Sequence, residues 1–117
     1  ARGLLLEHPD INVLVGFNEP LAVGTAQAVD ELELNGQVRE IAFDTNPVCV
    51  ELLQKGAASA LIVQNPYAMG YLGVETAWRS LQGERFDASS LINTPTTTIT
   101  RETMFTIESQ KAIFSFD

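Results

Sequence analysis

Three polar residues stand where short apolar runs stop: Asn18 after Ile11–Phe17, Asp44 after Glu40–Phe43 and Gln64 after Ala60–Val63. Asparagine and glutamine each offer two donors and an acceptor, whereas an ionised aspartate offers acceptors alone. An amide, acid, amide set suits a ligand rich in hydroxyls, each both donor and acceptor. Nearby helix N-termini would attract an anion, but Asp44 and Glu19 would repel it. A neutral polyol therefore fits better than a phosphate. A backbone role competes with binding, because Asn and Asp are common just before helices as caps. Both readings stand for Asn18 and Asp44. Gln64 is different, since glutamine is not a favoured cap.

The elements that must carry these residues repeat three times. The run Ile11–Phe17 predicts a strand, broken only by Asn12 and Gly16. Pro20 then suits the first turn of a helix reaching about Leu34, with Gly36 closing it. Leu21, Thr25, Ala28 and Leu32 fall on one face, with Ala22, Ala26 and Val29 beside them, while Gln27, Asp30 and Glu31 face water. The second round is strand Glu40–Phe43, a helix opening at Pro47, and Gly56 as its end. The third is strand Ala60–Val63, Asn65 as N-cap, Pro66 in the first turn and Gly83 as the stop. Met69, Leu72, Ala77 and Leu81 of that helix are expected to point inward. Gly70 and Gly73 are expected to allow close helix-to-sheet packing, and Trp78 to pack. Such alternation means an α/β fold, an open parallel sheet covered by helices. Ligands of these sheets sit beyond the carboxyl ends of the strands, where Asn18, Asp44 and Gln64 fall. Arg85–Ser90 reads as a loop. Leu91–Thr100, with Pro95 inside it, reads as extended and at an edge. In the tail, Phe105, Ile107, Ile113, Phe114 and Phe116 need a partner surface. Arg2–His8 looks like the last turns of a helix, and a chain that opens mid-helix is expected to be a piece of something longer.

Composition excludes several classes. The 117 residues suffice for one core, and 45% are apolar. No run of 18 apolar residues is present. A net charge of −8 with scattered Lys and Arg argues against nucleic-acid binding. The lone Cys49 excludes an internal disulfide and a multi-cysteine metal site, and reads as a small apolar helix residue. No metal, cofactor or catalytic residue is expected. His8, the only histidine, has no nucleophile elbow of the Gly-x-Ser-x-Gly kind to work with.

Phe17-Asn18-Glu19 before a helix, Ile41-Ala42-Phe43-Asp44 ending a strand, and above all Ala60-Leu61-Ile62-Val63-Gln64-Asn65-Pro66-Tyr67-Ala68-Met69-Gly70-Tyr71 resemble the C-terminal lobe of type I periplasmic sugar-binding proteins of the ribose-binding class. Ile99-Thr100-Arg101-Glu102-Thr103-Met104 resembles their last crossover between lobes. Two positions depart from the pattern: Glu19 stands where the family often has Asp, and Ala42 where Gly usually precedes Phe-Asp. The resemblance implies a sugar or small polyol held between two lobes and delivered to the permease of an ABC transporter. It places Asn18, Asp44 and Gln64 on the ligand-binding positions. It also implies a periplasmic or extracellular location, with or without a lipoprotein anchor. The expected division is a partial C-terminal lobe over 1–92 and an inter-lobe crossover with tail over 93–117. The N-terminal lobe and the first strands of this lobe are expected to be absent, so that the chain alone would self-associate.

The alternative is the effector domain of a LacI-type transcription regulator, which shares this fold and would need a helix-turn-helix segment upstream. A phosphoacceptor receiver domain also alternates strands and helices. It needs an acidic cluster and a lysine at strand ends, which Asn18 and Gln64 do not provide.

Overall fold

Asparagine followed by proline, at once or one residue later, starts three of the helices. In a computed structural model that describes residues 1–87 and 89–114, α1 (Arg2–Glu7) is followed by α2 (Glu19–Glu31), capped by Asn18. Asn46 caps α3 (Pro47–Lys55) and Asn65 caps α4 (Pro66–Leu81). Each cap accepts through its side chain from the backbone N–H three residues on. The prolines occupy first turns, where a missing N–H costs nothing. Gly56 ends α3 at φ 80, a left-handed conformation that glycine adopts freely. The shorter α5 (Ile107–Ile113) is capped by Thr106.

Four strands form one sheet in sequence order: β1 (Val13–Gly16), β2 (Arg39–Phe43), β3 (Ala60–Val63) and β4 (Thr97–Ile99). The first three are parallel, and β4 runs antiparallel to β3, with Val63 opposite Thr97 and Leu61 opposite Ile99. The sheet is therefore mixed where an all-parallel one was expected. The reason lies in the excursion between β3 and β4. The chain leaves β3 at its carboxyl end and does not recross the sheet through α4, so it re-enters from the same end. The edge position expected for the Pro95 segment holds, because β4 is an outer strand.

Helices cover one face of this sheet. Ala42, Leu61, Val63 and Ile99 meet Ala22 of α2, Cys49 and Leu53 of α3, and Met104, with Ala112 and Ile113 of α5 packed alongside. A second cluster joins Leu5, Ala28, Val29 and Val38. Cys49 is a buried core residue, as its sequence context suggested. The buried residues of α2 are Ala22, Ala26, Ala28 and Val29, while Leu21, expected to face inward, is exposed. Small residues let α2 sit close to β1 and β2, and a leucine in that row would hold it away. On the opposite face, Val13 and Val15 are exposed and Ile41, Phe43 and Ile62 are half-buried. Parallel strands are ordinarily covered on both faces, so among the described residues this face lacks a layer.

The largest departure from expectation is α4. None of its residues is buried. Met69 and Leu81, expected to point into a core, are 46% and 84% exposed, and Trp78, expected to pack, is 60% exposed. A Cβ added at Gly70 or Gly73 would meet nothing within 4 Å, so neither glycine serves close packing on the sheet. The apolar period of α4 is real, but the surface it fits is not this sheet. Phe105, Ile107 and Phe114 are likewise exposed, while Ile113 reaches the core. Phe116 lies outside the described residues. A Cα radius of gyration of 17.7 Å, against about 13 Å for a compact chain of this length, reflects the outlying helix.

Candidate functional site

Parallel pairing of β1, β2 and β3 delivers their following residues to one edge. Asn18, Asp44 and Gln64 all emerge there, as the strand pattern predicted. Their local roles differ. Asn18 is a cap: its Oδ1 accepts from Leu21 N–H at 3.0 Å, which leaves the side-chain NH2 as its donor toward the edge. Asp44 is not a cap, because Asn46 performs that task for α3. Gln64 is not a cap either, because Asn65 caps α4. The Gln64 amide Nε2 instead donates to Asp44 Oδ1 at 2.9 Å. Asp44 adopts φ 79, a left-handed conformation that costs a non-glycine residue energy but that Asp and Asn tolerate better than most. The capping explanation thus accounts for Asn18 and fails for the other two.

Asp44, Thr45, Asn46, Val63, Gln64, Pro66 and Met69 line a cleft of about 320 Å³, none of them basic. That volume lies in the range of small-ligand sites, which combine apolar walls with a few convergent polar groups. Its chemistry is hydrogen bonding to hydroxyls, with the Asp44 carboxylate as acceptor and the Gln64 amide as donor and acceptor. The Cys49 thiol lies beneath the edge, with Sγ 3.5 Å from the Phe43 carbonyl oxygen. Burial pushes its pKa up, an Asn46 hydrogen bond opposes this, and the carboxylates of Glu19, Asp44 and Glu40 add to the rise. Cys49 therefore stays a thiol and a packing group. Among the described residues no three His, Cys, Asp or Glu side chains are grouped to hold a metal ion.

Two aromatic residues at this edge were missed. Phe17 and Phe43 pack with ring centroids 5.3 Å apart, directly before Asn18 and Asp44 in sequence. The repeated Phe-polar ending of two successive strands was the signal. It was overlooked because each phenylalanine also completes an apolar run.

Gly16 fixes how closely the first turn of α2 approaches β1. A Cβ there would lie 2.6 Å from Ala22 N and 2.7 Å from Ala22 Cα, both backbone atoms with no rotamer to yield. Gly16→Ala is expected to cost about 3 kcal/mol, the upper end of overpacking, and to displace Asn18. Urea denaturation checks this, and an unchanged midpoint would refute the contact.

A family model described as a periplasmic binding protein domain matches residues 1–85. A D-ribose/D-allose-binding protein of Pseudomonas aeruginosa is 28% identical over 102 residues, which is 86% of this chain and 32% of that protein. The ribose import binding protein of Escherichia coli is 32% identical over 87 residues, 74% of this chain and 29% of that one. The chain thus spans about a third of the length of the curated relatives it matches. A carbohydrate transporter solute binding protein from Agrobacterium radiobacter, crystallised in complex with D-arabinose, superposes with a TM-score of 0.75 at 30% identity, over 96% of this chain and 37% of that one. By sequence and fold, the chain belongs to the periplasmic binding protein domain family.

Proposed function

We propose that this chain supplies one wall of a sugar site closed by a second lobe, and that the whole protein binds a monosaccharide or small polyol for delivery to an ABC permease, without chemistry on it. The observation that carries this reading is the Gln64–Asp44 pair. Both residues sit at the carboxyl edge of the sheet, free of capping duty, and Asp44 holds a costly backbone conformation to stay there. Asn18 adds a donor on the same edge. The Phe17–Phe43 pair offers an apolar surface for the C–H face of a sugar ring. Relatives named for binding ribose and allose support the ligand class. Import binding proteins among them support transport over a LacI-type regulator, and a site outside the cytoplasmic membrane, free or lipid-anchored.

The fold also supports a finer division than a single boundary at residue 92. Residues 1–64 and 97–114 build the sheet and its covered face. Residues 65–87 and 89–96, with α4, stand off it, and the apolar stripe of α4 fits a place against the second lobe. The chain would then cross between lobes at Gln64–Asn65 and again at Thr96–Thr97, which puts the site at the hinge.

Thermal denaturation of the intact two-lobed protein with a panel of pentoses, hexoses and disaccharides tests the ligand class. A cognate monosaccharide at about a hundred times its Kd adds about 2.7 kcal/mol, a rise of at least about 5 °C. A panel without any rise would overturn the reading.

A further inference from the structure

Glu40 is a buried carboxyl that the sugar site does not use. It lies on β2, four residues before Asp44, and is 1% exposed. Its Oε1 contacts Thr25 Oγ1 of α2, and its Oε2 is buried with no hydrogen-bond partner among the described residues. Thr25 Oγ1 also lies 2.9 Å from the carbonyl oxygens of both Leu21 and Ala22. The hydroxyl has one proton and three oxygen neighbours. If that proton goes to the helix carbonyls, the remaining contact joins two oxygens and needs a second proton, which only Glu40 can supply. Oε2 is bare in either state, and a bare buried carboxylate oxygen costs more than the bare carbonyl oxygen of a neutral acid.

We infer that Glu40 is held as a neutral carboxylic acid, donates to Thr25, and so latches the first turns of α2 onto β2 as a positioning residue for Asn18. The geometry runs in a short chain. Thr25 grips the carbonyls of Leu21 and Ala22. Leu21 N–H holds the Asn18 side chain, and Ala22 presses on Gly16. Loss of the proton removes the donor and puts a charge in the core, which loosens α2 where it carries Asn18.

The surroundings favour the neutral form. Burial raises the pKa of Glu40, and a hydrogen bond accepted from Thr25 by the ionised form would offset this only in part. From α3, Cys49 is the titratable neighbour, and as a neutral thiol it offers a Glu40 charge no compensation. β1 sets Leu14 in register beside Glu40. The charged side chains of α2 and α3, Glu19, Asp30, Glu31, Glu51 and Lys55, and the neighbouring Arg39, are all exposed. Because the folded-state pKa is raised, the latch contributes stability at acid pH, and that contribution is lost as pH rises through the folded value.

The test is a carbon-13 carboxyl NMR titration of the intact, sugar-free protein, with Glu40→Gln to assign the Glu40 signal and to mimic the neutral acid. Glu40 is expected to titrate above every exposed glutamate, and the Asn18 side-chain amide signals to shift along the same curve. In Glu40→Gln that curve disappears from Asn18, and in Thr25→Ala Glu40 still titrates but Asn18 no longer follows it. Glu40 titrating with the exposed glutamates, or an Asn18 curve unchanged in Glu40→Gln, would overturn the latch. A second arm rests on the proposed sugar site: affinity for D-ribose and D-allose should fall about fivefold as Glu40 ionises and stay level in Glu40→Gln. Parallel profiles in the two proteins would count against positioning. Absence of binding to either sugar at every pH would count against the sugar reading, while the sugar-free titration still decides the latch.

Discussion

Replacing Asp44 with asparagine is expected to weaken sugar binding by the intact protein about tenfold, with little change in stability. Hydrogen bonds from hydroxyls to a carboxylate contribute about 1.5–3 kcal/mol, against about 1 for neutral pairs, and 1.4 kcal/mol is a factor of ten in Kd. Asparagine is the informative replacement for two structural reasons. It tolerates the left-handed backbone at φ 79, where alanine would add strain. Its side-chain oxygen can also keep the 2.9 Å bond from Gln64 Nε2. Charge is then the property that changes. The parallel replacement Asn18→Ala would mix lost ligand contact with lost capping of α2, so it discriminates less well. Calorimetry with the sugar that gives the largest thermal rise reads the effect. A Kd within about twofold of wild type, under ~0.5 kcal/mol, would remove Asp44 from the site.

Local signals were the legible ones. Asn65-Pro66 and the apolar runs before Asn18, Asp44 and Gln64 fixed where elements start and stop, because caps, proline and glycine act over three or four residues. The edge that gathers the three candidate residues followed, since successive parallel strands leave their carboxyl ends together. What failed was non-local. Periodicity marks an apolar face on α4 but not what covers it, so Met69 and Leu81 were assigned to a core they do not reach. Leu21 and Ala22 lie on adjacent stripes of α2, and only the sheet's demand for close approach selects the alanine. The three residues of β4 carry no directional signal, so its antiparallel course depends on where α4 goes. Asn46 as the α3 cap was readable, because Asn46-Pro47 repeats Asn65-Pro66, and it would have freed Asp44 for binding at once. Glu40 was hidden at a strand start, where a carboxylate looks exposed. Its alternation with the inward Ala42 was the available clue.

The chain on its own is expected to bind sugar no tighter than about millimolar and to self-associate. Tight small-ligand sites bury most of the ligand surface, whereas this chain offers one edge with Asn18, Asp44 and Gln64 open to water. Water competes for each of these groups, so each hydrogen bond keeps only a small net value. The same openness leaves apolar surface without cover. β1 is an outer strand with a free ladder of backbone groups, and Val13 and Val15 beside it are exposed. Unprotected edges of this kind recruit other strands. On α4, Tyr71, Val74, Trp78 and Leu81 form a further exposed stripe, and Phe105 and Ile107 are exposed as well. Exposed apolar patches of this kind mark interaction surfaces or aggregation liabilities. The net charge of −8 slows association but is screened beyond about 10 Å at 0.1 M salt, so raising salt should increase the larger species. Sedimentation velocity of the chain at increasing salt, with calorimetry against D-ribose and D-allose, checks both halves. A monomer that binds either sugar at micromolar Kd would show that one lobe suffices and would overturn the two-lobed site.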